Sequence, residues 1–436
     1  MRKIFILLTG LTLFFNSQLV SSNDLFVWTR PEVFSPNNDD VDDFIKFYFY
    51  SREKLDVSLR IFNEKVGLSY KLTLPSGKSR IIWDGKDKNG KVVPDGTYTY
   101  IVESEIGEKI IEKKGKFKLD RSILWKMPKK VLAFYYPWYR TKDFSGFWSH
   151  WGCGVPDLSN EKGHPEVSTT NIPKIGVYDS SNPELIKRHI KMAEKSGIDV
   201  FICSWWGEKS ETDDVFKVIL NVAEKSKIKF TIYYELVPDE SPEAAISDFI
   251  YILENYSRSP AFFKVKGQPV IFVYSRAMFH LNSFEWKEVL SKVKKEYPSL
   301  FIADLVFNEL PSEIIRTFDG GHTYNPVVEI IFGKDMFESY RNFVERARRY
   351  KKIACVTVIP GYDDSYIDRK GPMVCEREDG RLYEELFKKA ILSKPDWILI
   401  TSFNEWHEGS EIEPSVEYGD LFLNLTSKYT TLFKRR

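Results

Sequence analysis

The chain of 436 residues is 43% hydrophobic and 29% charged, with 63 Lys and Arg against 62 Asp and Glu and a formal net charge of +1. This is ordinary globular composition, enough to bury one large domain and a small one. The charges are mixed along the chain, which excludes the basic stripe of a nucleic-acid binder, and four cysteines are too few for a disulfide-built scaffold.

The first 22 residues read as a cleaved export signal. "MRK" is a short positive region, "IFILLTGLTLFF" is an apolar run too short for a membrane span, and "QLVSS" supplies small residues before Asn23. No cysteine stands near the cut, which argues against a lipid anchor. The expected location is therefore outside the cell or in the periplasm.

Residues 23–122 read as all-β. "FIKFYFY", "LDVSLRIF", "SRIIWDG" and "GTYTYIVES" are strand-like runs separated by the turn signals "SPNND", "DKNG" and "PDG". The segment "IIWDGKDKNGKVVPDGTYTYIV", through Trp83, Asp84, Gly85, Pro94, Gly96 and Tyr98, resembles the Ig-like domain of the flagellar hook-capping protein, which also serves as an accessory module. The resemblance implies a β-sandwich and, as a partner, contact with the cell envelope. It says little about function.

Residues 129–436 repeat one pattern. Eight apolar runs, "VLAFYYPW", "DVFICSWW", "KFTIYYEL", "QPVIFVYS", "LFIADLVF", "FDGGHTYN", "IACVTVIPG" and "DWILITSFNEW", alternate with amphipathic helical segments. Strands that run apolar without alternation are buried on both faces, as in a parallel sheet covered by helices. Eight such units predict an α/β fold, a (β/α)8 TIM barrel. A doubly wound sheet is the alternative, but the first turn, "AFYYPWYR", lacks the glycine-rich phosphate loop that such sheets usually carry.

In a barrel the chemistry belongs at the strand C-terminal ends. "YYPWY", "SWWGE", "YYE", "HTYNP" and "NEWHEG" all fall there. Glu405 and Glu408 are three residues apart, so one helical turn would bring their Cβ atoms to about 5–6 Å. Carboxyls that close repel when both are ionised, so one keeps its proton while the other serves as base or nucleophile. Retaining glycosidic cleavage needs carboxyls about 5–5.5 Å apart. A solvated acidic loop is the bland alternative, against which Trp406 and the barrel-end position argue.

The barrel resembles the endo-α-mannosidases and endo-α-mannanases of glycoside hydrolase family 99. The pieces that carry this are "AFYYPWY", "WSHWG", "PKIGVYDSSNPELIKRHIKMAEKSGIDVFICSWWG", "FDGGHTYN", "VIPGYDDSYI", "REDGRLYEELFKKAI" and "ITSFNEWHEGSEIEP". The resemblance implies a retaining endo-glycosidase with no metal or cofactor, acting on an oligosaccharide or polysaccharide. It further implies that Glu405 deprotonates the sugar 2-hydroxyl, whose oxygen attacks C1 to give a 1,2-anhydro sugar, and that Glu408 is the acid and later the base for water. Which Glu takes which role does not follow from the residues themselves.

Glu235, at the end of the third strand, is a candidate to hold a substrate hydroxyl; its alternative is a salt bridge to a barrel cation. Tyr136, Tyr139 and Tyr324 are candidates to line the subsite of the cleaved sugar. Trp205, Trp206 and Trp406, with Trp138, are candidate stacking surfaces, one or two of them barrel packing instead. His407 is placed to orient a hydroxyl or a Glu. Two stretches depart from the family pattern: "LVPDESPEA" after Glu235, and "GSEIE" for the more usual "GTQIE", which puts an acid, Glu411, where an amide is expected. Cys203 and Cys355 read as core, whereas Cys153 and Cys375 lie in loops that a disulfide could tie together. A different polysaccharide substrate, or a catalytically dead envelope glycan binder, stays open beside the hydrolase reading.

Overall fold

The computed structural model describes residues 25–36, 44–50, 56–63, 67–74, 80–106, 109–121, 127–152, 167–306, 312–367 and 370–435. The expected export signal and Cys153 lie outside them. The chain forms two compact units, residues 1–126 and 127–436.

In the first unit the alternation seen in the sequence is realised as two sheets. Strands Phe26–Arg30, Ile45–Tyr50 and Arg80–Trp83 pair antiparallel in the order given. The second sheet runs Val33–Phe34, Lys109–Leu119, Gly96–Ile106, Val57–Asn63, Gly67–Leu74. Both sheets contribute to one core around Phe47, Trp83, Tyr98 and Phe117. The polar tips of its large rings are satisfied locally: Trp83 Nε1 donates to the Lys86 carbonyl at 2.7 Å, and Tyr98 OH to the Pro94 carbonyl at 2.6 Å. Strands Phe26–Arg30, Val33–Phe34, Gly67–Leu74 and Lys109–Leu119 are additions to the sequence reading. The last is lysine-rich and extends only because it pairs along its length with Gly96–Ile106.

The second unit is a closed barrel of eight parallel strands: β1 (Lys130–Tyr135), β2 (Val200–Trp205), β3 (Lys229–Tyr234), β4 (Gln268–Val273), β5 (Leu300–Asp304), β6 (Gly320–His322), β7 (Ile353–Val358) and β8 (Trp397–Ile400). Each pairs with its neighbour in sequence, and β8 pairs with β1 to close the ring. Strand β6 is short and glycine-bearing for a steric reason. A Cβ on Gly320 would come within 2.8 Å of the Ile353 backbone oxygen.

Helices α1 (Pro183–Ser196), α2 (Glu211–Val222), α3 (Pro242–Asn255), α4 (Ser283–Glu296), α5 (Ser312–Thr317), α6 (Met336–Arg349), α7 (Arg381–Leu392) and α8 (Leu421–Lys434) follow the strands in turn. Their ends are written in the sequence. Asn182 and Ser241 cap α1 and α3 ahead of N1 prolines, and Asn282 with Glu285 forms a capping box on α4. Outward residues of the strands, such as Phe201, Cys203 and Trp205, pack with Phe216 and Ile219 of α2 in a continuous apolar layer. Among the described residues no helix is long and apolar enough to cross a membrane.

Candidate active site

The loop after β8 is held at both flanks. Ser402 N donates to the Ser410 carbonyl at 2.8 Å, and Glu413 N to the Phe403 carbonyl at 2.8 Å. Asn404 pins this loop to the end of β1 by acting as a substitute backbone: its Oδ1 accepts from Tyr136 N at 2.8 Å and its Nδ2 donates to the Tyr136 carbonyl at 3.1 Å. Residues 406–409 then turn, with Gly409 at φ 52°, where a Cβ would lie only 2.9 Å from the Asp363 backbone oxygen. Only glycine satisfies both the dihedral and the close approach. Arg377 closes the loop from behind, donating to the carbonyls of Gly409 (2.8 Å) and Glu411 (2.9 Å) and to Glu411 Oε1 (2.5 Å).

On this frame stand two of the predicted carboxylates. Glu405 is buried, its backbone N–H donating to Ser402 Oγ at 2.7 Å and its Oε1 accepting from His407 N at 3.2 Å. Its Oε2 is buried with no hydrogen-bond partner among the described residues. A buried carboxylate oxygen left in that state is costly unless a ligand brings a donor to it. Glu408 is half-buried, and its Oε2 accepts from Tyr324 OH at 3.0 Å. Tyr324 in turn accepts from Tyr136 OH at 2.6 Å. Burial, reinforced by the nearby carboxylates, raises both phenols well above the usual tyrosine range, so this chain of donors stays protonated.

Glu235, at the end of β3, completes the acidic group. It is buried, accepts from Ser204 Oγ at 2.7 Å, and has its pKa raised to about 8, first by burial and further by the fields of Glu405 and Glu408; Ser204 and Arg276 oppose the rise. All three acids stand at the C-terminal pole of the barrel, Glu235 directly after β3 and Glu405 and Glu408 in the loop after β8. At neutral pH Glu235 is therefore mainly protonated and can donate a hydrogen bond. It makes no salt bridge among the described residues.

Residues 126–421 match the profile of glycosyl hydrolase family 99. The chain belongs to this family. As a family-99 barrel it is a glycoside hydrolase, and residues 28–119 separately match the CHU_C Type IX secretion signal domain. The glycoprotein endo-alpha-1,2-mannosidase of Mus musculus is 28% identical over 347 residues, 70% of this chain and 74% of its own. The glycoprotein endo-alpha-1,2-mannosidase-like protein of Homo sapiens is 28% identical over 319 residues, 65% of this chain and 68% of its own. Among solved structures, the GH99 endo-alpha-mannosidase from Bacteroides thetaiotaomicron is similar at a TM-score of 0.62 with 28% identity, covering 70% of this chain and 97% of that one.

The structure sorts the predicted aromatics into two groups. Trp206 is half-buried, its Nε1 donating to Ser204 Oγ at 3.0 Å and the Arg276 guanidinium lying 5.0 Å over its ring. Trp138, also half-buried, stacks on His150 at 4.4 Å with 2° between the planes and lies 4.7 Å from Tyr136. Tyr324 touches Glu408 directly, Tyr136 reaches it through Tyr324, and Trp206 shares Ser204 Oγ with Glu235. Trp205 is placed elsewhere: it is fully buried in the layer under α2, with Nε1 donating to Asp213 at 2.8 Å and its ring stacked on Tyr234 and Tyr251. Successive strand residues face opposite ways, so Ser204 looks into the barrel and Trp205 out of it. As a substrate surface Trp205 is corrected to core.

Trp406 is also wholly buried, donating from Nε1 to Tyr178 OH at 3.0 Å, and Tyr139 OH accepts from Trp406 N at 3.1 Å. Both hold the loop from beneath rather than present a face to a ligand. His407 bridges the His150 carbonyl through Nε2 and Glu405 Oε1 through Nδ1, the latter at 3.4 Å. His322 is buried in the barrel against Tyr233 OH, 3.2 Å away, and burial lowers it to about 3. Cys375 is buried, and its proposed partner is not among the described residues.

Three contributors escaped the sequence reading. Arg276, and Tyr274 with its ring 5.6 Å from that of Tyr324, stand directly after β4, where the strand-end rule points to them, but they carry no motif. Arg377 lies between β7 and α7 and was readable only as part of "EREDG"; its role depends on a contact 32 residues away.

Proposed function

We propose that the chain is an exported, retaining endo-α-mannosidase in which Glu405 is the base toward the sugar 2-hydroxyl and Glu408 is the acid and then the base. The observation that carries this is the contrast between the two groups: Glu405 Oε2 is buried and unpartnered among the described residues, while Glu408 is half-buried and held by Tyr324. A base aimed at an internal hydroxyl must be shielded, and a group that protonates a leaving oxygen and later receives water must reach the open side.

The chemistry suits a mannoside. In an α-mannoside O2 and the departing oxygen are trans and both axial, so O2 is aligned for backside displacement at C1. Glu405 takes the O2 proton as the O2–C1 bond forms, the C1–O bond to the leaving sugar breaks, and Glu408 delivers its proton to that oxygen. Water then attacks C1 from the face the leaving group vacated. Glu408 accepts the water proton, the C1–O2 bond breaks, and Glu405 returns the proton to O2. Two inversions give net retention. An internal oxygen already at bonding distance replaces a protein nucleophile at the gain of proximity. Glu235, protonated at neutral pH, serves as donor to another sugar oxygen, with Trp206 and Trp138 as apolar walls.

The relatives named mannosidases support the choice of sugar. The first 22 residues and the secretion-domain match support export. The test is incubation with an α-mannan and detection of new reducing ends, with the anomer of the first product read by NMR. Glu408→Gln should lose about 10²–10⁴-fold on a glycoside with a poor leaving group, and much less on an activated aryl mannoside. Equal losses on both substrates would refute the acid assignment, and an initial β product would refute retention.

A further inference from the structure

The three-stranded sheet of the first unit carries its apolar core on one face and an unusual set of residues on the other. The antiparallel register puts Phe26 opposite Tyr50 and Trp28 opposite Tyr48, with Tyr48 also opposite Arg80. Two residues further along, about 7 Å away, Arg30 is opposite Lys46. Paired residues share a face, and this face is the outer one: Phe26 is 55% exposed, Trp28 44% and Tyr50 57%. A small sandwich with a complete core of its own has no packing need for three such rings in water.

Two further features give this surface a chemistry. Trp28 and Tyr48 stack at 5.3 Å with 9° between their planes, so the indole is already fixed and little side-chain freedom is lost on binding. Beside the rings, Arg30, Lys46 and Arg80 form no ion pair with an acid among the described residues. Rigid aromatic faces accept the apolar faces of pyranose rings, and the paired Arg30 and Lys46, with Arg80 diagonal to Lys46 across from Tyr48, match phosphate oxygens.

We propose that this face is a polysaccharide-binding surface that holds a phosphate-bearing mannan strand, sugar faces on the Phe26–Tyr50 and Trp28–Tyr48 pairs and phosphate on the corner formed by Arg30, Lys46 and Arg80. The choice of mannan rests on the function proposed above; the glycan-plus-anion chemistry rests on the sheet. The surface would keep a polymer near the enzyme without entering the reaction.

The test is affinity electrophoresis of the full chain, made on a Glu408→Gln background so that the polymer persists. The gels contain phosphorylated mannan, dephosphorylated mannan or a uronate polysaccharide. Retardation should be strongest with phosphorylated mannan and should weaken with added salt. Trp28→Ala with Tyr50→Ala should weaken binding at least about tenfold, and Lys46→Glu with Arg80→Glu should remove the preference for the phosphorylated polymer. In the active enzyme both pairs of substitutions should leave hydrolysis of a small soluble mannoside unchanged. Variants that bind every polymer as the parent does would overturn the proposal, as would preference for the uronate polymer. A dimer in solution that dissociates on Trp28→Ala with Tyr50→Ala would assign the face to self-association instead. Failure to cleave any mannoside with binding intact would count against the function proposed above, not against this surface.

Discussion

Glu235 is an acid of the mouth whose burial at the end of β3 holds its proton at neutral pH. Its folded pKa of about 8 stands above the ordinary 4.5, chiefly through burial. Deprotonation above pH 8 would place a new negative charge at the end of β3, in the mouth that holds Glu405 and Glu408, and remove a donor from the substrate. We therefore expect kcat/KM to fall on the alkaline side near pH 8, and Glu235→Gln, which keeps a donor and cannot ionise, to lose that limb. A Glu235→Gln profile that falls at the same pH as the parent would exclude Glu235 as its source. Linkage gives a second readout. Glu235, and Glu411 with its pKa raised to about 7 mainly by burial, bind more protons in the folded than in the unfolded state from about pH 4.5 upward. Their contribution to stability is complete below that range and is lost as pH rises through about 7 to 8. Thermal unfolding should occur at lower temperature at pH 8.5 than at pH 6.5, and the difference should shrink when both are changed to Gln.

The elements themselves were largely legible. All eight barrel strands and the helices after them coincide with apolar runs and amphipathic segments in the sequence, because a strand buried on both faces has no alternation to conceal and the helix caps are local. What could not be read was which side of a strand end faces inward: Ser204, Trp205 and Trp206 are adjacent, yet one position separates a site residue from core. The loop after β8 was legible as chemistry but not as mechanics. Arg377, Asn404 and Asn171 act on it through contacts far apart in sequence, with Asn171 Nδ2 donating to Glu411 Oε1 at 2.9 Å. The Arg377 fork holds two carbonyls of the loop after β8 at once, and under the proposed function Arg377 is a positioning residue. Arg377→Lys keeps the charge but not the fork. It should reduce kcat about 10²-fold while KM changes little and the circular dichroism spectrum is preserved. Glu411→Gln should remain within several-fold of the parent, since the amide oxygen can still accept from Arg377 and Asn171 and the two carbonyl contacts are untouched. A larger loss in Glu411→Gln than in Arg377→Lys would show that the ion pair, not the fork, sets the turn.

At the scale of the whole molecule, catalysis and retention of the polymer are assigned to units with separate cores. The barrel layer runs from Val131 to Phe433, and the sandwich core from Leu25 to Leu119, with no residue in common. Each pairs its strands within itself: the barrel has no free edge because β8 returns to β1, and the open sheets of the sandwich pair only strands of the first unit, the lysine-rich one with Gly96–Ile106. The chemistry proposed for the mouth draws every residue from 127–436, whereas the aromatic and basic face lies wholly within 1–126. A chain restricted to residues 127–436 should therefore fold and hydrolyse a small soluble mannoside with kcat/KM within about threefold of the full chain, and calorimetry of the full chain should show two unfolding transitions, one of them absent from the shorter chain. On polymeric mannan at low concentration the shorter chain should be slower, because it has lost the surface that keeps the polymer close. Loss of activity on the small substrate in a correctly folded barrel would mean that the sandwich contributes to the site, and equal rates on dilute polymer would mean that its aromatic face contributes nothing to turnover.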